Sequence, residues 1–377
     1  MTIRYKICTL LIMLLTASAQ AAVNPPIVAT PTAKAFFLDT VLWPYNGSTL
    51  LKHVPAYDIP VCWEKFSQST AVNRKLVKDA ITVTWQKDSL AKFIGWGQCL
   101  PSASSGIRIA VADNKNSPRA ALGTQGNARV GVMLLNFTMK TLVSATSDPL
   151  FSPKKTILAR CQQDNKATLE TCIQSSAIHE FGHILGLAHE QNRSDDPSVI
   201  LHGGCHINDI PVKQTIPGVS GTFDTLGNTL FTDYDPFSMM NYCRNRYFGR
   251  IDLSPLDKLA VRVYYGQMPS FDSRTRILRI PRIVRYDGAI LTGSFNLLPD
   301  GRFQQAASLK VTTTPSKIST TLSASGILSI PEIKFISPSG HVNQVLKATL
   351  QKTTTPGVFT RKVWTRLQPT KFQPVIN

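Results

Sequence analysis

The feature that most constrains this chain is a set of three histidines, His179, His183 and His189. Apolar residues recur at helical spacing over residues 168–185, which predicts a helix with one buried face and with His179 and His183 outside that face. Residues four apart on a helix lie one above the other, so these two imidazoles can reach the same ion. Gly186 can adopt the left-handed conformation that ends the helix and returns His189 to the same point.

Three neutral imidazoles form the ligand set of a catalytic zinc site, because they leave a fourth position open for water. Glu180 adjoins His179 on the helix, where it can act as the general base towards water that zinc activates. A purely structural zinc site is disfavoured, since such sites usually close with a fourth cysteine or histidine. Histidines that only form core hydrogen bonds are the other alternative, which the glutamate and glycine in register disfavour. The sequence therefore predicts one catalytic Zn²⁺ ion.

Residues 179–189 read His-Glu-x-x-His-x-x-Gly-x-x-His, and this run resembles the metzincin signature. Residues 190–195 are similar to the extended pattern of the astacin-like branch, whereas Asp196 and Pro197 depart from it. The resemblance implies a zinc metalloendopeptidase that hydrolyses peptide bonds with activated water and with Glu180 as its general base.

Residues 234–242 resemble the Met-turn of the same family. The resemblance implies that Met240 lies beneath the zinc histidines. It also implies that Tyr242 is a fifth zinc ligand and a catalytic residue that stabilises the oxyanion. Asn241 departs from the family's usual histidine. Without the upstream signature, Met240 is compatible with an ordinary core position and Tyr242 with a half-buried tyrosine.

The resemblance covers about residues 58–267 and implies an α+β catalytic domain, in which a twisted mixed sheet accompanies the zinc-site helix. It also implies that an extended protein or peptide substrate pairs with an edge strand, for which residues 130–137 are the candidate. Hydrophobic periodicity predicts further strands at residues 59–63 and 107–111, and a helix at residues 72–85.

A closing helix for this domain is predicted by its end signals. Ser254 can cap the helix, Pro255 suits its first position, and Asp257 completes a pattern like a capping box. Gly266 predicts its end.

The N-terminus has the form of a secretory signal peptide at residues 1–21, with a short basic start, an apolar run and small residues at the cleavage site. Residues 22–57 read as a lead-in or a short pro-segment. No later run approaches the roughly 18 apolar residues that a membrane span needs. The protein is therefore expected to be secreted, to the extracellular space or to the periplasm of a bacterial host.

Six cysteines remain after the signal peptide, and an even number in an oxidising compartment suggests three disulfides. Six cysteines allow fifteen pairings, so the sequence leaves the connectivity open. Pairing by neighbourhood gives Cys62–Cys99, Cys161–Cys172 and Cys205–Cys243.

Residues 270–377 form a separate, basic, β-rich domain. Residues 277–283 recur in similar form as residues 327–333, which indicates a small sandwich-like all-β domain made of two related halves. This segment has 15 Lys and Arg against 4 Asp and Glu, within a chain of net charge +18. Such charge suits an anionic surface or polymer, although a well-solvated surface on a small β domain is the favoured explanation. No aromatic-interleaved basic motif predicts nucleic-acid binding.

Two other functions stay open at this point. One is a non-catalytic surface-binding protein on the same scaffold, against which the undamaged signature argues. The other is hydrolysis of cell-wall peptides, which would use the same zinc chemistry.

Overall fold

The structure, a computed structural model, describes residues 37–38, 41–44, 57–101, 105–112, 118–140, 161, 166–190, 228–229, 234–241 and 251–367. Tyr242, Cys205, Cys243, residues 191–195 and the predicted signal peptide lie outside these ranges. Within them, none of the helices combines the length and the apolar composition of a membrane span.

The first domain, called the catalytic domain below after the role that the sequence predicts for it, contains a small sheet and helices packed on it. In chain order its described elements are β1 (Phe37–Leu38), β2 (Tyr57–Trp63), α1 (Ala71–Val83), α2 (Trp85–Asp88), β3 (Ala91–Gln98), β4 (Ile107–Val111), β5 (Met133–Leu135), α3 (Lys166–Ile184), β6 (Asn228–Thr229) and α4 (Pro255–Tyr265). Two single-turn 3-10 helices, Phe66–Gln68 and Gly123–Gly126, lie between them. The expected helix at residues 72–85 is thus α1 followed by the short α2.

Four strands form a parallel sheet in the order β3-β2-β4-β5. Parallel neighbours need a crossover connection, and α1 with α2 provides one between β2 and β3. Ile59, Val61 and Trp63 alternate along β2 and are buried against the helices. A disulfide between Cys62 and Cys99 links β2 to the residue that follows β3.

The outer side of β5 is covered by the chain itself. The Arg119 amide donates to the Leu134 carbonyl at 3.0 Å, and the Leu134 amide donates back at 2.8 Å, in an antiparallel bridge. The Ala121 amide donates to the Val132 carbonyl at 3.1 Å. This antiparallel segment is what makes the otherwise parallel sheet mixed. The outermost described segment on this side is therefore residues 119–121, so the strand within residues 130–137 is not the edge of the sheet as predicted.

Helix α3 lies in the catalytic core with its predicted apolar face inwards. Ile173 and Phe181 are buried, and the Phe181 ring stacks on Trp96 with centroids 5.6 Å apart. The same ring meets Phe93 edge to face at 4.8 Å. Trp43, which falls in the segment predicted as a lead-in, belongs to the same buried cluster.

Helix α4 begins and ends where its end signals predict. The Asp257 amide donates to Ser254 Oγ at 2.9 Å, and the Ser254 amide donates to the Asp257 carboxylate at 3.1 Å, so both halves of the capping box form. Pro255 is the first helical residue. The Gly266 amide donates to the Arg262 carbonyl at 2.8 Å and ends the helix.

The C-terminal domain contains nine strands, seven of which form a closed barrel. Its strands are β7 (Ser270–Asp272), β8 (Ile277–Arg285), β9 (Ile290–Leu297), β10 (Phe303–Gln305), β11 (Lys310–Val311), β12 (Thr320–Leu322), β13 (Ile327–Ile336), β14 (Val342–Lys352) and β15 (Val358–Arg366). The ring runs β8-β9-β10-β15-β14-β13-β12 and returns to β8. The expected sandwich is corrected here, because the parallel pair β12–β8 joins the two ends of one sheet and removes its edges.

The sequence repeat corresponds to two related halves of this barrel, β7–β10 and β12–β15. The repeated segments form β8 and β13, and each has a register shift across its proline, between Ile280 and Ile283 and between Ile330 and Ile333. Strand β7 pairs in parallel with β13, and β12 pairs in parallel with β8. The first strand of each half thus lies against the repeated strand of the other half.

The barrel contacts the catalytic domain through α4. The Arg262 guanidinium donates to both carboxylate oxygens of Glu332, at 2.9 and 2.7 Å, and lies 3.5 Å from Asp88. Ile318 and Val345 of the barrel belong to the same buried cluster as the catalytic core. The two domains therefore share a packed interface.

Candidate metal centre

The three predicted histidines converge on one point. His189 Nε2 lies 3.2 Å from His179 Nε2 and 3.0 Å from His183 Nε2. Among the residues that the structure describes, this is the cluster of potential ligands whose atoms lie close enough to hold one ion. Nitrogens around a tetrahedral zinc with bonds of about 2.0–2.1 Å lie about 3.3 Å apart, close to these separations.

The other ring nitrogen of two histidines fixes their protonation. His179 Nδ1 lies 2.8 Å from the Met239 carbonyl, and His183 Nδ1 lies 2.7 Å from the Leu187 carbonyl. A carbonyl oxygen only accepts, so each Nδ1 carries the proton and each neutral ring points a lone pair from Nε2 into the cluster. Lone pairs that face one another favour a cation between them, so the residues fit a zinc ion.

Burial keeps these rings neutral. It lowers the pKa of His183 to about 4 and lowers the pKa of His179 well below its ordinary value, where the neighbouring His183 and His189 add to the effect. Neutral imidazole is the form that binds a metal, so the site does not have to release protons before binding at neutral pH.

The chain leaves α3 as the sequence predicts. Gly186 has a φ of 93°, in the left-handed region. The Gly186 amide donates to the His183 carbonyl at 2.8 Å, and the Leu187 amide donates to the Gly182 carbonyl at 3.0 Å. The turn therefore supplies hydrogen-bond donors to the last carbonyls of the helix. It also places the Leu187 carbonyl within hydrogen-bond distance of His183.

Glu180 is buried beside His179 on the same helix. Its 1 % exposure is unusual for a carboxylate, which is mostly found at the surface unless it is paired or functional. The structure thus places a carboxylate within the turn of α3 that carries the first two histidines.

The Met-turn segment passes beneath this helix. A Cβ added at Gly182 would lie 2.5 Å from Met240 Sδ, so the methionine fills the space that this glycine leaves open. The Met239 carbonyl orients His179, and the Met240 carbonyl accepts from the Glu190 amide at 3.0 Å. Met240 therefore lies against α3 at Gly182, and Tyr242 lies outside the described residues.

Sequence reasoning missed how this segment is held. The buried Asp257 carboxylate accepts from Ser238 Oγ at 2.7 Å and from the Met239 amide at 2.8 Å, in addition to its capping bond with Ser254. Asp257 thus links the helix cap to the residue whose carbonyl orients His179. The capping pattern was the only sequence signal for Asp257, and it did not indicate the second partner.

Glu190, which follows the third histidine, is also buried. Its Oε1 accepts from the Asp235 amide at 2.8 Å, which ties the segment after His189 to the start of the Met-turn. Asp235 in turn accepts from Ser254 Oγ and from the Phe237 amide.

Two of the three expected disulfides are present in the described residues. Cys62 pairs with Cys99, and Cys161 pairs with Cys172 on α3. The expected pair Cys205–Cys243 lies outside them.

Comparison with known proteins gives a local likeness. No protein-family model matches the sequence. The chain is 35 % identical over 99 residues to embryonic protein UVS.2 of Xenopus laevis, a match that spans 26 % of this chain and only 18 % of that protein.

Two solved structures are similar at low identity. Myroilysin has a TM-score of 0.38 at 19 % identity, over 61 % of this chain and 98 % of that one. High choriolytic enzyme 1, a hatching-enzyme zinc protease of the medaka fish Oryzias latipes, has a TM-score of 0.32 at 16 % identity, over 62 % and 98 %. Both TM-scores are low, so the likeness that remains is that of the signature and of its converged histidines. In these two features the chain resembles the zinc metalloproteases of the metzincin type, and the astacin-like branch in particular.

Proposed function

We propose that the chain is an exported zinc-dependent endopeptidase. The observation that carries this proposal is the convergence of three Nε2 atoms, in which the rings of His179 and His183 donate their Nδ1 protons to backbone carbonyls. His179, His183 and His189 are the residues that would hold one Zn²⁺ ion. When bound, zinc polarises a scissile carbonyl and lowers the pKa of water towards about 7.

The chain's own residues supply the proton transfers. Glu180 takes the proton of the attacking water and delivers it to the leaving amine, as a buried carboxylate beside the cluster can do. By resemblance, Tyr242 is a further zinc ligand whose hydroxyl stabilises the oxyanion, and Met240 supports the histidines from below. No covalent intermediate with the protein is needed in this scheme.

The substrate is proposed to bind as an extended chain along the edge segment of residues 119–121. Arg119 exchanges both backbone hydrogen bonds with Leu134, so the backbone groups of the adjacent Ala120 point to the opposite side. Main-chain pairing at Ala120 would recognise peptide backbone irrespective of most side chains. Export is supported by the predicted signal peptide and by the two disulfides, which are typical of oxidising compartments.

The test is Glu180→Gln, measured with unfolded protein as substrate. We expect hydrolysis to fall at least a hundredfold while one zinc ion per chain remains bound. Glu170→Gln is the matched control, since Glu170 lies on the same helix away from the histidines. Retained hydrolysis by Glu180→Gln would remove the general base from the proposal. Mapping cut sites in a peptide library, with cell-wall peptides alongside, separates a general endopeptidase from a cell-wall peptidase.

A second function is proposed for the barrel, namely attachment to an anionic polymer. One end of the barrel opens into a cavity of about 740 Å³ whose lining includes Lys352 and Arg285, and Arg285 also forms an ion pair with Asp287 at the rim. Tyr286, also in this lining, is 68 % exposed and gives the rim an aromatic surface. Positive charge at a concave site attracts anionic groups.

Binding to immobilised dextran sulfate tests this attachment. The double substitution of Arg285 and Lys352 to Gln is expected to reduce retention on dextran sulfate at constant salt. The matched control is the double substitution of Lys310 and Lys362 to Gln, which removes two charges on other strands. Equal losses of retention in the two double variants would assign the binding to net charge alone. Proteolysis of a soluble substrate should be unchanged in each.

A further inference from the structure

A short N-terminal segment reaches the end of the zinc helix. Trp43 is buried, and its indole Nε1 donates to the Ile184 carbonyl at 2.8 Å. The Trp43 amide donates to the Tyr265 hydroxyl at 3.3 Å, and that hydroxyl donates to the Leu185 carbonyl at 3.0 Å. Residues 41–44 therefore join the last residues of α3 to the last residue of α4.

The carbonyls of Ile184 and Leu185 lie at the end of α3, where the helix itself provides no hydrogen-bond donor for them. The last carbonyls of a helix have no partner in the following turn. Here backbone amides of the turn at Gly186 donate to the carbonyls of Gly182 and His183. Trp43 and Tyr265 donate to the carbonyls of Ile184 and Leu185. The two carbonyls immediately precede Gly186, where the chain reverses towards His189.

The other end of the segment lies against the substrate edge. The Val41 carbonyl accepts from Thr124 Oγ1 at 3.2 Å. A side chain at Gly123 would overlap the same carbonyl, so the two backbones approach as closely as glycine permits. Gly123 follows the edge segment by two residues, so residues 41–44 span from that edge to the end of the metal helix.

We infer that Trp43 and Tyr265 are positioning residues for the metal centre, which fix the turn that carries His189. This inference rests on the proposed function, because it assumes that the histidines bind zinc. Both residues act on backbone carbonyls of α3, so their effect reaches the metal through the placement of His189. Groups that hydrogen-bond directly to metal ligands typically change metal affinity by about 10–100-fold when they are removed, and because Trp43 and Tyr265 act one step further from the ligands, an effect at the lower end is expected.

Plain packing is the competing explanation for a buried tryptophan. It predicts a loss of stability on substitution with no particular effect on the metal. The phenylalanine variants separate the two explanations, because Trp43→Phe and Tyr265→Phe keep most of the ring and remove the donors. Tyr265→Phe removes a single oxygen atom, so it keeps the question testable if Trp43→Phe fails to fold.

The matched control is Trp364→Phe in the barrel. Trp364 stacks on Phe303 with ring centroids 5.2 Å apart, and its buried indole nitrogen has no hydrogen-bond partner among the residues that the structure describes. Trp364→Phe therefore removes an indole ring, as Trp43→Phe does, but it removes no hydrogen bond to the metal helix.

The full-length chain is loaded with Zn²⁺ or Co²⁺, and metal affinity is measured by competition with a chromophoric chelator. We expect Trp43→Phe and Tyr265→Phe to bind zinc about tenfold more weakly and to shift the visible spectrum of bound Co²⁺. Trp364→Phe should match the unsubstituted chain in both. Unchanged affinity and spectrum in both α3-facing variants would overturn the positioning role. Absence of metal from the histidines of the unsubstituted chain would instead remove the proposed function.

Discussion

The sulfur of Met240 occupies the space that a side chain at Gly182 would need. A Cβ there would lie 2.5 Å from Met240 Sδ and 3.1 Å from the ring of the fully buried Trp85. The helix that carries the histidines thus approaches the Met-turn as closely as a glycine allows. This contact links the segment of the zinc signature to the segment of the Met-turn.

Gly182→Ala should therefore lower the free energy of unfolding by about 1 kcal/mol, because an extra methyl in a packed core costs about 1–3 kcal/mol and the higher helix propensity of alanine offsets up to about 1 kcal/mol of that cost. Urea denaturation measures the effect. The control is Gly97→Ala, since an added Cβ at Gly97 has nothing within 4 Å. Equal stability of the two variants would show that Met240 moves aside without cost.

Asp257→Asn should loosen the Met-turn. The carboxylate accepts from Ser238 Oγ, the Met239 amide and the Ser254 amide, and an amide group offers only one accepting oxygen. We expect a loss of about 1–3 kcal/mol in unfolding free energy, together with weaker zinc binding. Asp79→Asn is the comparison, because Asp79 forms only an exposed pair with Lys75 on α1. If Asp257→Asn were as stable as Asp79→Asn, Asp257 would not be what holds the Met-turn in place.

Arg262→Gln should weaken the contact between the two domains. Its guanidinium holds both oxygens of Glu332 across the interface, and both side chains are mostly buried. Removing it leaves Glu332 without its charged donor, at a cost of about 1.5–3 kcal/mol. Calorimetry should show a lower melting temperature than for Arg302→Gln, whose partner Asp300 is exposed. Identical melting curves would mean that the interface does not depend on this pair.

The Asp287 carboxylate should titrate at unusually low pH. The hydrogen bond from Arg285 lowers the pKa of Asp287 to about 2 from an ordinary value of 3.8. A depressed carboxylate pKa adds stability above the ordinary value, and this contribution is lost as the pH falls through 3.8 towards 2. In an NMR titration Arg285→Gln should return the pKa of Asp287 towards its ordinary value. An unchanged pKa would show that the pair does not persist in solution.

Removing zinc should destabilise the catalytic domain. A bound ligand stabilises the folded state in proportion to the logarithm of its concentration over its dissociation constant. A strong chelator is therefore expected to lower the melting temperature and abolish hydrolysis, and added zinc should restore both. His189→Ala should lose this zinc dependence, because it removes the nitrogen that lies nearest to the other two. A chelator effect of equal size in that variant would point to a different metal site.

Local signals in the sequence sufficed for the metal helix and for α4. The spacing of His179 and His183, the glycine at 186 and the capping pattern at Ser254 each act within a few residues, so they can be recognised without the fold. The helix ends, at Ile184 and Tyr265, fall within one residue of the predicted ends because these signals are steric.

Contacts between distant residues could not be predicted in this way. Trp43 lies 141 residues from the carbonyl that it caps, and nothing near it in sequence indicates that partner. The edge segment at Arg119 is too short and too irregular to show strand periodicity, although it covers β5. Closure of the barrel depends on the parallel pair β12–β8, whereas the repeat alone indicates only two similar halves.

The first strand of each barrel half pairs with a strand of the other half, and this affects folding during synthesis. Neither half can complete its hydrogen-bonded ladders alone, because β7 needs β13 and β12 needs β8. A nascent chain that has emerged only as far as β10 presents unpaired strand edges, which invite association with other chains. The ring can close only after β15 has been synthesised. The barrel therefore forms only in chains whose synthesis has continued through β15.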